Sequence, residues 1–196
     1  MIRPWLEPLR WLAVCLALAG AVPAWAAWDI DALMRGLAQN TSGRARFVEK
    51  KYFAMVDRPV ESSGELRYVA PDRLEKITEK PRPETMVLAQ GVLTLDRSGR
   101  PQQQLRLSEY PEVAAFVESI RGTLVGDRAT LERLYKLSLE GTEARWTLTL
   151  VPRQARMLGV VKSVRMEGSR ADLRSVEIEQ SDTDRSVMTI EKIAAP

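Results

Sequence analysis

Apolar positions along the chain follow three rhythms. Residues Trp11 to Ala19 form an unbroken apolar run. From Trp28 to Ala38 the spacing becomes three and four. Ile30, Leu33, Met34 and Leu37 share one face, Asp29 stands where an N-cap belongs, and Asn40 or Gly43 can stop the helix, which predicts one amphipathic helix. The period then drops to two. Segments 44–56, 62–69, 73–79, 84–89, 92–96 and 102–107 are short and rich in β-branched or aromatic residues. Turn formers such as Asp57-Arg58-Pro59, Pro81-Arg82-Pro83 and Gln90-Gly91 separate them, which predicts a meander of antiparallel strands.

The strand rhythm is interrupted once. Pro111 fits the first position of a helix, Val113, Phe116, Val117 and Ile120 fall on one stripe, and Gly122 is expected to end it. Asp127 can cap a second short helix carrying Leu131, Leu134 and Tyr135. Strands resume at 135–140 and 144–151, the latter alternating Trp146, Leu148 and Leu150 with Arg145, Thr147 and Thr149, and continue at 160–167, 173–180 and 185–191. Ten or eleven strands cannot stay flat and open, because twisted sheets beyond about ten strands curl or split. The expected fold is mainly β with α: a curled antiparallel sheet forming a barrel or half-barrel, a helix ahead of it, and a helical pair inserted between strands. Its concave face is a hollow, and the inserted helices can close it as a fixed plug or as a movable lid.

The first rhythm belongs to a different purpose. Arg3 and Arg10 precede the apolar run, and Ala24-Trp25-Ala26 follows it, the order of a secretory signal peptide. A membrane-spanning helix needs about 20 apolar residues, and this run is shorter and broken by Gly20 and Pro23. Residues 1–26 are therefore expected to be removed near Ala26 or Ala27, leaving 27–196 as one periplasmic domain. Cys15 lies mid-run behind Val14, so no lipid anchor is expected on it.

Composition then narrows the chemistry. Cys15 is the single cysteine and there is no histidine, which removes Ser-His-Asp and Cys-His nucleophile systems and the usual zinc sites. No catalytic residue, metal or cofactor is expected, and binding becomes the favoured class of function. Without the signal segment the 29 basic and 26 acidic side chains become 27 and 25, too even for a nucleic-acid partner. Arg46, Lys50, Lys51, Arg67, Arg73 and Lys76 read as the wet face of a sheet, and so do Glu49, Glu65, Glu75 and Glu79. A hydrolase built on paired carboxylates is accordingly a remote alternative, since the pattern puts none of these acids in apolar surroundings. Asp182 and Asp184 lack the spacing and glycine of a calcium loop and read as a polar hairpin turn. The domain is expected to be monomeric.

Several stretches resemble a known family, the periplasmic carriers of outer-membrane lipoproteins, LolA and its relatives. Phe47-Val48-Glu49 is similar to the family's F-x-Q at the first strand. Gly64-Glu65-Leu66-Arg67-Tyr68-Val69-Ala70-Pro71 is similar to its G-x-L…P hairpin, and Lys80-Pro81, Thr85-Met86-Val87-Leu88 and Gly91-Val92-Leu93-Thr94-Leu95 to its paired strands. The resemblance implies an incomplete β-barrel whose apolar hollow receives acyl chains under a helical lid. It further implies a lipidic or lipoprotein cargo taken from an inner-membrane transporter and passed to an outer-membrane acceptor without chemistry. Two positions depart from the pattern. Glu49 replaces the Gln, and Ala70 stands where the family's well-known carrier has an Arg tying barrel to lid, leaving Arg67 or Arg73 as candidates for that role.

On this reading Phe47, Leu66, Tyr68, Met86, Leu88, Leu93, Leu95, Trp146 and Leu148 line an apolar pocket, and Val113, Phe116, Val117 and Ile120 cover it. The same residues could be ordinary core. Met86 suits a variable apolar ligand best, because its thioether is flexible. A third class of function, a lipid-sensing or scaffold module of an envelope exporter or regulator, shares the same fold expectation.

Overall fold

The computed structural model describes residues 28–181 and 184–193, so the expected signal segment and Asp182 lie outside the described residues. The first helix, α1 (Ile30–Leu37), forms as its spacing predicts: the Asp29 carboxylate accepts from the Ala32 amide at 2.8 Å, and Leu33, Met34 and Leu37 are buried. It ends before Asn40, whose side chain instead donates to the Ala171 carbonyl at 2.7 Å.

Six strands follow: β1 (Ser42–Tyr52), β2 (Val60–Val69), β3 (Arg73–Lys80), β4 (Glu84–Ala89), β5 (Val92–Arg97) and β6 (Gln103–Arg106). The first stops four residues short of the expected 56. Residues 53–59 form a loop in which Met55 is 98% exposed and the Ala54 amide donates to Asp184 at 3.0 Å. A 3-10 turn (Leu107–Glu109) leads to α2 (Pro111–Val125) and α3 (Arg128–Leu134). The chain closes with β7 (Tyr135–Thr142), β8 (Arg145–Pro152), a one-turn helix α4 (Ala155–Leu158), β9 (Val161–Ser169), β10 (Asp172–Gln180) and β11 (Arg185–Lys192).

All eleven strands join one antiparallel sheet in the order β6-β5-β4-β3-β2-β1-β11-β10-β9-β8-β7. Two meanders are thus stitched together by the pairing of β1 with β11, in which Phe47 lies opposite Ile190 and Glu49 opposite Met188. The sheet does not close into a barrel. Its free edges are β6 and β7, and the chain between them runs through the helical segment 107–134.

Gly122 does not end α2. The helix runs on to Val125 and stops at Gly126, which adopts φ +72° and lies so close to α1 that a Cβ there would meet the Met34 carbonyl at 2.3 Å. The work of Gly122 is close packing, for a Cβ would sit 3.1 Å from the Leu131 side chain of α3.

The main core lies on one half of the sheet. Leu33, Met34 and Leu37 of α1, Leu131 of α3 and Met157 of α4 pack with Tyr135, Trp146, Leu148, Leu150, Val164, Met166 and Val176. Trp146 is 1% exposed, donates to the Arg170 carbonyl at 2.8 Å, and crosses over Gly168, where a Cβ would lie 2.2 Å from the indole. Tyr135 donates to the Ala115 carbonyl of α2 at 2.9 Å, and burial pushes its phenol up to about 12.

Candidate functional site

The other half of the sheet carries a different interior. Directly paired residues of antiparallel strands share a face. One inner row runs Tyr68, Leu74, Leu88, Leu93, Leu105 across β2 to β6, and the next runs Leu66, Lys76, Met86, Leu95 across β2 to β5. Tyr68 and Leu88 are buried, whereas Leu66, Leu74, Met86, Leu93, Leu95 and Leu105 are only half-buried. The row containing Tyr68 lies toward the 70–72 and 90–91 turns. There the helical segment is moored by the Leu107 amide donating to the Gly91 carbonyl at 2.9 Å.

Farther from these turns the inner face becomes charged. Phe47, buried on β1, lies in register with Gly64, and beyond them the row continues through Thr78, Glu84 and Arg97. Glu49 does not lie on the wet face. Two residues from Phe47 and therefore on the same side of β1, it is 5% exposed. Its carboxylate is ion-paired with Lys76 and accepts from the Ser186 hydroxyl at 2.7 Å. The Lys76 ammonium, also turned inward, stands 5.0 Å from the centre of the Phe47 ring. Burial pulls the Glu49 carboxyl up, but the hydrogen bond and charge of Lys76, with Ser186 and Lys51, outweigh it and hold the group below its ordinary value. A buried acid poised as a proton donor would be shifted the other way. The two-residue step from Phe47 was the signal available in the sequence, and the surrounding lysines masked it.

Glu65 and Glu75 do lie on the outer face, held by exposed arginines. Arg44 and Arg67 bind Glu65 at 2.8 and 2.5 Å, and Arg73 binds Glu75. Hydrogen bonds from Arg44 and Arg67 bring the Glu65 carboxyl down to about 2. Arg67 and Arg73 are thereby committed to the outside of the sheet and do not take the place of an Arg at Ala70. Arg121 of α2 binds Glu118 and lies within electrostatic reach of Tyr68, Asp72 and Asp127.

The expected pocket residues therefore divide. Leu66, Tyr68, Met86, Leu88, Leu93 and Leu95 are gathered on the inner face of β2 to β5, and Phe47 stands at its charged margin. Trp146 and Leu148 are in the packed core of the other half. The expected covering stripe also has a more specific placement. Ala115, Ser119, Gly122 and Thr123 form the buried side of α2, while Val113, Phe116, Val117 and Ile120 remain half-buried, with Phe116 and Ile120 touching the core. The main packing partners of α2 are the other helices and the 3-10 turn.

Among the described residues no group of three or more His, Cys, Asp or Glu side chains converges on a metal position, and no helix is long and apolar enough to cross a membrane. The Asp184 carboxylate accepts from the Ala54 amide of the 53–59 loop at 3.0 Å.

Matches among solved structures include a LolA superfamily protein, NE2245, from Nitrosomonas europaea. It is 10% identical, with 87% of this chain and 96% of that one covered and a TM-score of 0.47. LprF from Mycobacterium bovis is 10% identical over 85% of this chain and 93% of its own, with a TM-score of 0.37. MucB, solved in complex with MucA(peri), is 14% identical over 83% of this chain and 54% of its own, with a TM-score of 0.35. No curated protein sequence matches the chain. A family profile described as outer membrane lipoprotein carrier protein LolA-like matches residues 21–194. With the match running through both meanders and the helical segment between them, the chain belongs to this LolA-like family.

Proposed function

We propose that this protein is a periplasmic carrier that binds the acyl chains of a lipid or lipoprotein and moves them from an inner-membrane donor to an outer-membrane acceptor without chemistry. The observation that carries the reading is the half-buried apolar inner face of β2 to β5, formed by Leu66, Met86, Leu93 and Leu95 beside buried Tyr68 and Leu88. Folding alone gains most from covering such side chains completely, as the other half of the sheet does. Leaving them partly accessible inside a concave sheet suits a ligand that completes their burial. Each methylene withdrawn from water contributes about 0.8 kcal/mol, so a chain of about a dozen carbons supplies on the order of 10 kcal/mol. Release then needs a receiver offering comparable burial, or a change in the cover.

Membership of a family described as lipoprotein carriers supports the cargo class, and the positive, apolar and small-residue order of residues 1–26 supports export. The half-buried stripe of α2 is the part of the cover that can yield, because its main packing is with other helices rather than with the strands of the hollow.

The reading is tested by loading the exported protein with a fluorescent acylated lipid in donor vesicles and following its arrival in acceptor vesicles. A carrier speeds transfer in proportion to its concentration. Binding without transfer would indicate a lipid sensor or scaffold, and the absence of both would reject the acyl-binding hollow.

A further inference from the structure

One polar atom in the hollow has no protein partner. The Tyr68 hydroxyl is buried, on a residue only 9% exposed, and no hydrogen-bonding atom meets it among the described residues. Trp146 and Tyr135 in the packed core each donate to a backbone carbonyl, and the other buried side-chain polar atom without a partner among the described residues, the Trp28 indole N–H, lies on a residue packed against that core. A buried hydroxyl without a partner is a cost to the folded chain that a phenylalanine would avoid. Tyr68 nonetheless stands on the inner row with Leu74, Leu88 and Leu93, at the turn end of the apolar surface assigned above to the acyl chain.

The surroundings define what can satisfy it. Burial pushes the phenol above its ordinary value, so it carries its proton and can donate. The Arg121 guanidinium acts on it electrostatically, which opposes a cationic ligand group and favours an electron-rich oxygen. A free anion is not favoured either. Arg121 is already bound to Glu118 and lies within electrostatic reach of Asp72 and Asp127, so its charge is largely answered by the protein itself. What remains is a neutral acceptor attached to an apolar chain.

We propose that Tyr68 is the hydrogen-bond donor through which the hollow recognises the neutral carbonyl of an acyl ester or amide. The inference rests on the acyl-carrier reading and adds to it a chemical preference: esterified or amidated acyl chains over free fatty acids and over plain hydrocarbon. Tyr68 is a specificity-determining residue on this account, with the aliphatic rows supplying most of the affinity.

The test compares three probes of equal chain length carrying the same pyrene reporter, a methyl ester, a free acid and a hydrocarbon, on the full protein and on Tyr68→Phe. Wild type should bind the ester best. Y68F should lose roughly tenfold in affinity for the ester, change less than twofold for the hydrocarbon, and melt at or above the wild-type temperature, because no structural hydrogen bond is lost. Equal ester affinity in both proteins, or a parallel loss for ester and hydrocarbon, would overturn the role of Tyr68 while leaving the carrier reading intact. A melting temperature lowered by several degrees would also overturn it, by showing that the hydroxyl serves the fold. Failure of wild type to bind any of the three would reject the carrier reading and this inference together.

Discussion

The two halves of one sheet bury similar amino acids to different depths. In β7 to β10, Trp146, Leu148, Leu150, Val164 and Met166 are at most 1% exposed beneath α1, α3 and α4. In β2 to β5, Leu66, Met86, Leu93 and Leu95 occupy equivalent inward positions and stay half-buried. Burial separates them, since the strand period is alike in both. A fully packed core returns its apolar area to stability, whereas a partly covered face leaves some of that area accessible, which on the proposed reading a ligand would cover.

The sharpest way to break this comparison is to truncate one residue from each half. Trp146→Ala removes a buried indole and its bond to Arg170, and should cost about 3–5 kcal/mol in denaturant unfolding. Leu93→Ala should cost only about 1 kcal/mol, because the side chain is half-exposed already, yet it should weaken acyl binding. Equal stability losses would erase the distinction between a core half and a ligand half.

The ion pair on the inner face offers the next largest effect. Glu49→Gln leaves Lys76 inward without its counter-charge and should destabilise by about 2 kcal/mol, less than for a fully buried pair because Lys76 retains some solvent contact. Sign follows from the depressed Glu49 carboxyl. Its contribution is complete above the unfolded value of 4.5 and is lost as pH falls through the lower folded value, with Glu65 adding the same trend down to about 2. Urea midpoints of wild type should therefore decline below about pH 4.5, and the decline should be shallower in E49Q. A midpoint that rises on acidification would contradict the assignment.

A smaller stability effect and a larger functional one are expected at the cover. Phe116→Asp puts a charge on the half-buried stripe of α2. If the helix can swing out, the protein stays folded while lipid binding is lost or becomes permanently exposed. A thermal melt that collapses outright would show that α2 is a fixed plug.

Much of this architecture is readable from periodicity. The helix at Ile30–Leu37 and all eleven strands follow from spacing and turn residues, because each rests on local chemistry. Three features do not. The one-turn helix Ala155–Leu158 is too short to show a period, and Gly122 looks like a helix stop until Leu131 is seen against it. Glu49 looks solvated among lysines although its two-residue step from Phe47 turns it inward. The candidate site was legible only in part for a related reason. Alternation tells which face a side chain takes, but Trp146 and Leu93 alternate equally well. What covers each face depends on contacts between residues far apart in sequence, such as Leu33, Leu131 and Trp146.

The most direct test of the account is the affinity of the protein for a series of fluorescent acyl probes differing only in chain length. Burial in the β2 to β5 hollow predicts that binding strengthens by a few tenths to 0.8 kcal/mol for each methylene and changes little between low and high salt. Affinity that is flat with chain length and falls steeply with salt would contradict it.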